Sequence, residues 1–150
     1  MMMSLKAKIT DDMKTAMRAK DAARLGAIRL LLAAIKQREV DERIELDDTQ
    51  IITVIDKMLK QRRDSITQFE AAGRQELADI EKFEIDILQA YMPQAASAGE
   101  IDSLIIQAIS NTGATGIKDM GKVMAILKTQ LAGRADMAQV STHIKAKLAG

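Results

Sequence analysis

"PQAASAG", residues 93–99, is the stretch that decides the fold: it holds the only proline of the 150-residue chain and no large apolar side chain. Small residues around a lone proline are the composition of a domain boundary, where few contacts cross. The expectation is an all-α chain: an N-terminal helical bundle of about four helices over 1–92, a linker at 93–97, and a smaller C-terminal subdomain of about three helices over 98–150.

Just upstream, Leu77, Ile80, Phe83, Ile87, Leu88 and Tyr91 predict a fourth helix. Pro93 stops it, because the residue before a proline is disfavoured in the helical region. Just downstream, Ser97 and Glu100 have the S-x-x-E spacing of a capping box. They open a fifth helix with Ile101, Leu104, Ile105, Ala108 and Ile109 turned inward, and "NTGATG" at 111–116 is read as a loop. Met120, Val123, Met124, Leu127 and Leu131 form the stripe of a sixth helix, and Met137, Val140, Ile144 and Leu148 that of a seventh.

Between them lies "AGRAD", 132–136. Gly133 suits C′, where positive φ costs nothing, and Asp136 suits the N-cap of the last helix, with Gln139 at the box position. Gly121 is different. A glycine one turn into a helix costs on the order of 1 kcal/mol relative to alanine, so it points to close approach, either of a neighbouring helix, the favoured choice, or of a partner's backbone.

Further from the boundary, Ser4 caps a first helix bearing Leu5, Ile9, Met13, Ala16 and Met17. Asp21 caps a second, in which Leu25, Ile28, Leu32 and Ile35, widened by Leu30 and Leu31, imply contact with more than one neighbour. The acidic "EVDERIELDD", 39–48, is read as a loop. Asp48 or Thr49 starts a long third helix, and Gly73 ends it with a left-handed residue.

Composition narrows the function. Phe69, Phe83 and Tyr91 are the only aromatics, too few to stack exposed bases. The absence of cysteine excludes disulfides, thiolate metal sites and a cysteine nucleophile, and suits a reducing compartment. "MMMSLKAKITDD" has Lys, Thr and Asp where a secretory apolar run would stand, and no uncharged stretch is apolar enough to span a membrane. The expected location is cytoplasmic.

No catalytic constellation emerges. His143 is the sole histidine and is read as a surface or boundary side chain; one histidine without cysteine leaves no zinc set. Asp11–Asp12 and Asp47–Asp48 sit at helix starts, where the dipole favours them. "GATG" is not a phosphate loop, since it has neither the lysine nor a preceding strand. The expectation is therefore no catalytic residue, no cofactor and no metal.

Charge is uneven. Residues 6–38 hold nine Lys/Arg against three Asp, a net of +6, and residues 39–56 hold seven acids against Arg43, a net of −6. Residues 120–150 hold Lys122, Lys128, Arg134, Lys145 and Lys147 against Asp136, a net of +4. If the last two helices form a hairpin, these five cations share one rim suited to phosphate contacts on a folded RNA.

"DMGKVMAILKTQLAGRAD" (119–136), "RLGAIRLLLAAIKQREVD" (24–41) and "KQRRDSITQFEAAGRQELADIEKFEIDILQAYMP" (60–93) give the chain its resemblance. In order and spacing it resembles the YqeY family, and its end is similar to the tail domain of the B subunit of the tRNA-dependent amidotransferase. The resemblance runs from about Leu5 to Leu148. It implies a two-bundle helical fold and a link to amidation of misacylated tRNA, with glutamine as amido donor and with the catalytic domain of that subunit absent. It implies Lys122, within Met-Gly-Lys-Val-Met, and Arg134, within Gly-Arg-Ala-Asp, as candidate RNA contacts; Lys128, Lys145 and Lys147 follow from charge alone. Met137 departs from the family pattern, which often has glycine there. The function expected is a non-catalytic tRNA-binding or amidotransferase-associated adaptor, its partners tRNA and an amidotransferase or aminoacyl-tRNA synthetase. The alternative is a protein-interaction module docking through the apolar face of 25–35 or the acidic stretch 39–48.

Overall fold

A computed structural model describes residues 3–149, and among these residues every regular element is helical. The order is α1 (Leu5–Arg18), α2 (Ala22–Glu42), α3 (Asp48–Ala71), α4 (Gln75–Gln89), α5 (Ala98–Thr112), a 3-10 turn (Ile117–Asp119), α6 (Met120–Gln130) and α7 (Met137–Ala149). This is the expected all-α chain, four helices and then three. It divides into two compact units, Met1–Met92 and Pro93–Gly150.

Local chemistry sets most of the boundaries. The Ser4 hydroxyl accepts from the Ala7 amide at 3.2 Å, and the Asp21 carboxylate accepts from Arg24 N at 3.2 Å. At α3 the capping box is Asp47 with Gln50: each side chain accepts from the other residue's amide, at 2.8 and 2.9 Å. Gly73 follows α3 with φ of 72°, a backbone that L side chains resist.

Three boundaries differ from the sequence reading, the simplest being the end of α5, which takes in Asn111 and Thr112 and leaves only 113–116 of the expected loop. The acidic stretch is not a loop throughout, because α2 continues to Glu42 and only Arg43, at φ 55°, breaks it. The acids there are engaged. Gln37 donates to Asp41, Arg38 pairs with Glu42, and Glu39 takes Lys6 Nζ at 2.8 Å and the Leu46 amide at 2.9 Å. These contacts hold the Glu39 carboxyl below its usual range, the Lys6 hydrogen bond being the largest cause. At α5, only half of the expected box forms. The Ser97 hydroxyl accepts from Glu100 N at 3.1 Å, while the Glu100 carboxylate turns to Arg134.

In the N-terminal unit, Ile9, Ile28, Leu31, Ile35, Ile51, Ile55, Leu59 and Leu88 are fully buried in one cluster. Each such side chain contributes on the order of 1.5–3 kcal/mol relative to exposure. As its wide face implied, α2 packs on α1, α3 and α4. Tyr91, just past α4, donates its hydroxyl to Asp12 Oδ2 at 2.6 Å, tying the end of α4 to α1; burial first, and then Asp12, push the phenol pKa upward.

The C-terminal unit has its own cluster, in which Ile105, Val123, Leu127, Leu131 and Ile144 are fully buried. Helix α6 packs on both α5 and α7.

Candidate nucleic-acid interface

Burial of Val123, Leu127 and Leu131 turns one stripe of α6 inward and leaves Gly121, Lys122 and Lys128 exposed. On α7, Val140 and Ile144 do the same and leave Lys145 and Lys147 outside. Residues two apart on a helix are separated by about 200°, so Lys145 and Lys147 lie on opposite flanks of the buried stripe. A single rim shared by five cations is therefore not what forms.

Carboxylates of α5 take two of the five. Lys147 Nζ is 2.7 Å from Asp102 Oδ1. Arg134 pairs with Glu100, and its Nε donates to the Gln94 carbonyl at 3.0 Å. The Arg134 carbonyl in turn accepts from Ala96 N at 2.8 Å. Arg134 thus brackets the segment 94–100 against the turn before α7, a structural task its place in Gly-Arg-Ala-Asp did not reveal.

Lys122, Lys128 and Lys145 make no ion pair among the described residues. Lys122 and Lys118 lie close enough to Asp119 to lower its carboxyl pKa, after the larger effect of the Thr115 amide, which donates to it at 3.0 Å. Lys118, in the 3-10 turn, is a further exposed cation, lying before the stripe of α6.

Gly121 corrects an expectation. A Cβ added there meets nothing within 4 Å, so no neighbouring helix accounts for the glycine. Its surface faces solvent beside Lys122. Gly133 has the positive φ expected, 71°, although α6 has already ended at Gln130, so the glycine serves the turn rather than the helix end itself. Asp136 Oδ1 accepts from Ala138 N at 2.9 Å, an N-cap contact, and Gln139 makes no bond back to it.

His143 is exposed and lines a cavity of about 350 Å³ with Asp136, Gln139, Ile101 and Val140. Among the described residues no three His, Cys, Asp or Glu side chains are grouped to hold a metal ion, and no helix is long and apolar enough to cross a membrane.

The family model described as Yqey-like protein matches residues 6–148. Curated relatives carry the name Altered inheritance of mitochondria protein 41, mitochondrial. The Kluyveromyces lactis protein is 36% identical over 108 residues, covering 70% of this chain and 58% of the relative. The Eremothecium gossypii protein is 38% identical over 115 residues, covering 72% and 63%. A Saccharomyces cerevisiae protein is 38% identical over 92 residues, covering 61% and 50%. The chain thus spans between half and two thirds of the length of these relatives. Their names overturn the cytoplasmic expectation, since all three are designated mitochondrial. The reason is physical: a cysteine-free chain suits any reducing compartment and does not select one.

Proposed function

Since the chain belongs to the YqeY-like protein family, we propose that it is a non-catalytic adaptor that binds tRNA and serves tRNA-dependent amidation. Its partners are tRNA and an amidotransferase or aminoacyl-tRNA synthetase. The name shared by the curated relatives states no ligand and no reaction.

The observation that carries the reading is the set of three exposed lysines without ion pairs among the described residues, Lys122, Lys128 and Lys145, in a unit with six cations against four acids, a net of +2. Lysines on rigid helices meet phosphates as point charges, and with almost no aromatic side chains available the recognition is of backbone shape rather than of bases. The open surface over Gly121 leaves room for a phosphate backbone to approach α6 beside Lys122.

Fluorescence anisotropy with bulk tRNA over a salt series tests this. Binding in about the micromolar range is expected, falling steeply with salt, and the slope of log affinity against log salt shrinks by about one unit for each phosphate-contacting lysine replaced by alanine. Absence of binding at low salt, or a triple Lys122→Ala, Lys128→Ala, Lys145→Ala variant that binds like the parent, rejects the reading. The purified chain, given glutamine, ATP and misacylated tRNA, is expected to form no amidated product.

The second reading, a protein-docking module, is favoured by a different observation: Leu30 on α2 is 51% exposed although its neighbours Ile28 and Leu31 are fully buried. A defined protein partner retained at high salt and after nuclease treatment would select it.

A further inference from the structure

The N-terminal unit leaves an apolar groove open between α2 and α4, with a cavity of about 670 Å³ lined by Ala22, Ala23, Gly26, Leu30, Ile80 and Phe83, among others. Leu30, Ile80 and Phe83 are 51%, 57% and 39% exposed, although each belongs to a helix whose other large apolar side chains are mostly inward. A Cβ built on Gly26 meets nothing within 4 Å, so the glycine opens the groove to solvent instead of serving a contact inside the unit. Apolar surface gathered in one place, not scattered singly, marks an interface.

The charges at its two edges say what fits there. At 100° per residue, Arg29 falls on the flank of Gly26 opposite Ala23, Ala27 and Leu30, which is the flank turned away from α4. On α4, Asp79 and Asp86 stand four residues before and three after Phe83, on its side away from Ile80. Arg29, Asp79 and Asp86 are exposed, and none forms an ion pair among the described residues; Asp79 only accepts from Gln75 Nε2 at 2.8 Å, and Lys82, on the same flank of α4, is engaged by Glu70 at 3.5 Å. The patch therefore runs from a basic edge on α2, across an apolar floor, to an acidic edge on α4. A surface with that polarity is complementary to itself: half a turn about an axis lying in the interface and running along the groove lays basic edge on acidic edge twice, with apolar floor against apolar floor.

We propose that this face is a twofold interface with a second copy of the same chain, Arg29 of each copy meeting Asp79 and Asp86 of the other while Leu30, Ile80 and Phe83 pack across the axis. A net charge of +1 sets little overall repulsion against the association. The residues named here lie in the N-terminal unit and include none of the cations of the RNA reading, so either idea can fail alone. The patch has fewer residues than the roughly 20–30 a side of a standard interface, so the dimer is weak and concentration-dependent.

Sedimentation velocity of the full chain from low micromolar to about 1 mM, a range that reaches weak self-association, tests the proposal. The expected result is a monomer–dimer equilibrium that Leu30→Asp and Phe83→Asp each weaken by roughly 30-fold or more, as loss of a central anchor does, with the helical circular dichroism unchanged. Arg29→Asp weakens it as well, and Arg29→Asp combined with Asp79→Arg restores it, a rescue that general misfolding would not produce. A chain that stays monomeric throughout overturns the proposal. So does a dimer indifferent to Leu30→Asp and Phe83→Asp, or a reversed pair that fails to rescue. A monomer in which Leu30 and Phe83 become protected only by a helix of another protein also overturns it, in favour of a different occupant.

Discussion

In the N-terminal unit Lys6 reaches Glu39 and Arg62 reaches Glu84, whereas in the C-terminal unit Lys122, Lys128 and Lys145 form no ion pair among the described residues. The first unit, with sixteen cations against seventeen acids, ties many of its charges within itself and leaves an apolar groove uncovered. The second keeps Arg134 and Lys147 for internal pairs and leaves lysines open to solvent. One chain thus carries two surfaces of different chemistry, one of exposed apolar side chains and one of exposed lysines without ion pairs among the described residues. The difference teaches that a chain net charge of +1 conceals the part that matters.

Breaking one core without the other should produce the largest effect. Ile55→Ala in α3 and Ile144→Ala in α7 remove fully buried side chains from separate clusters, and each should cost about 2–5 kcal/mol. Denaturant unfolding followed by amide exchange should show the loss confined to the unit that holds the substitution. A uniform loss across both units would remove the basis for treating them apart.

Cutting the Arg134 bracket comes next. Arg134→Ala removes the Glu100 pair and the bond to the Gln94 carbonyl. Because both groups are partly solvated, the expected cost is about 1 kcal/mol, with faster proteolysis at 94–97. If tRNA affinity falls far more than stability does, Arg134 is a phosphate contact as well as a bracket.

A smaller effect follows from Glu39 in the N-terminal unit. Its carboxyl is held below the usual 4.5, first by the hydrogen bond from Lys6 and then by the Leu46 amide. The stability it contributes is fully present above the unfolded-state pKa and is lost as pH falls through the lower folded-state value. Glu39→Gln should therefore lower stability at neutral pH and flatten the acid limb of the stability profile below about pH 4.5. An unchanged acid limb would show that Lys6 and Leu46 do not favour the ionised form.

The smallest effect is at Gly121. With open space around its Cα, Gly121→Ala should raise the stability of the C-terminal unit by about 0.5–1 kcal/mol through helix propensity. If it also weakens tRNA binding, the glycine is kept for the approach of the RNA backbone; unaltered binding would leave the glycine without a role at the interface.

Much of the fold was legible in the sequence because its signals are local. Ser4, Asp21 and Ser97 each cap the helix they precede, and the buried residues of α3 and α6 follow the three-and-four spacing read from the chain. The failures share a cause. Residues 39–42 looked like loop because their acids were counted as an uncompensated run, yet Glu39 is neutralised by Lys6, 33 residues earlier. Arg134 looked free because Glu100 and Gln94, its partners, lie 34 and 40 residues away. Gly121 was assigned to helix packing because a sequence records the cost of a glycine and not the space around it.

By itself the sequence determined the all-α class and most of the helices, since caps and apolar period act within a few residues; the family was legible separately, in the order of its motifs. Only the tertiary structure decided which cations remain available and which apolar side chains stay uncovered. Charge pairing and burial depend on neighbours tens of residues apart, and those neighbours are brought together only when the helices pack.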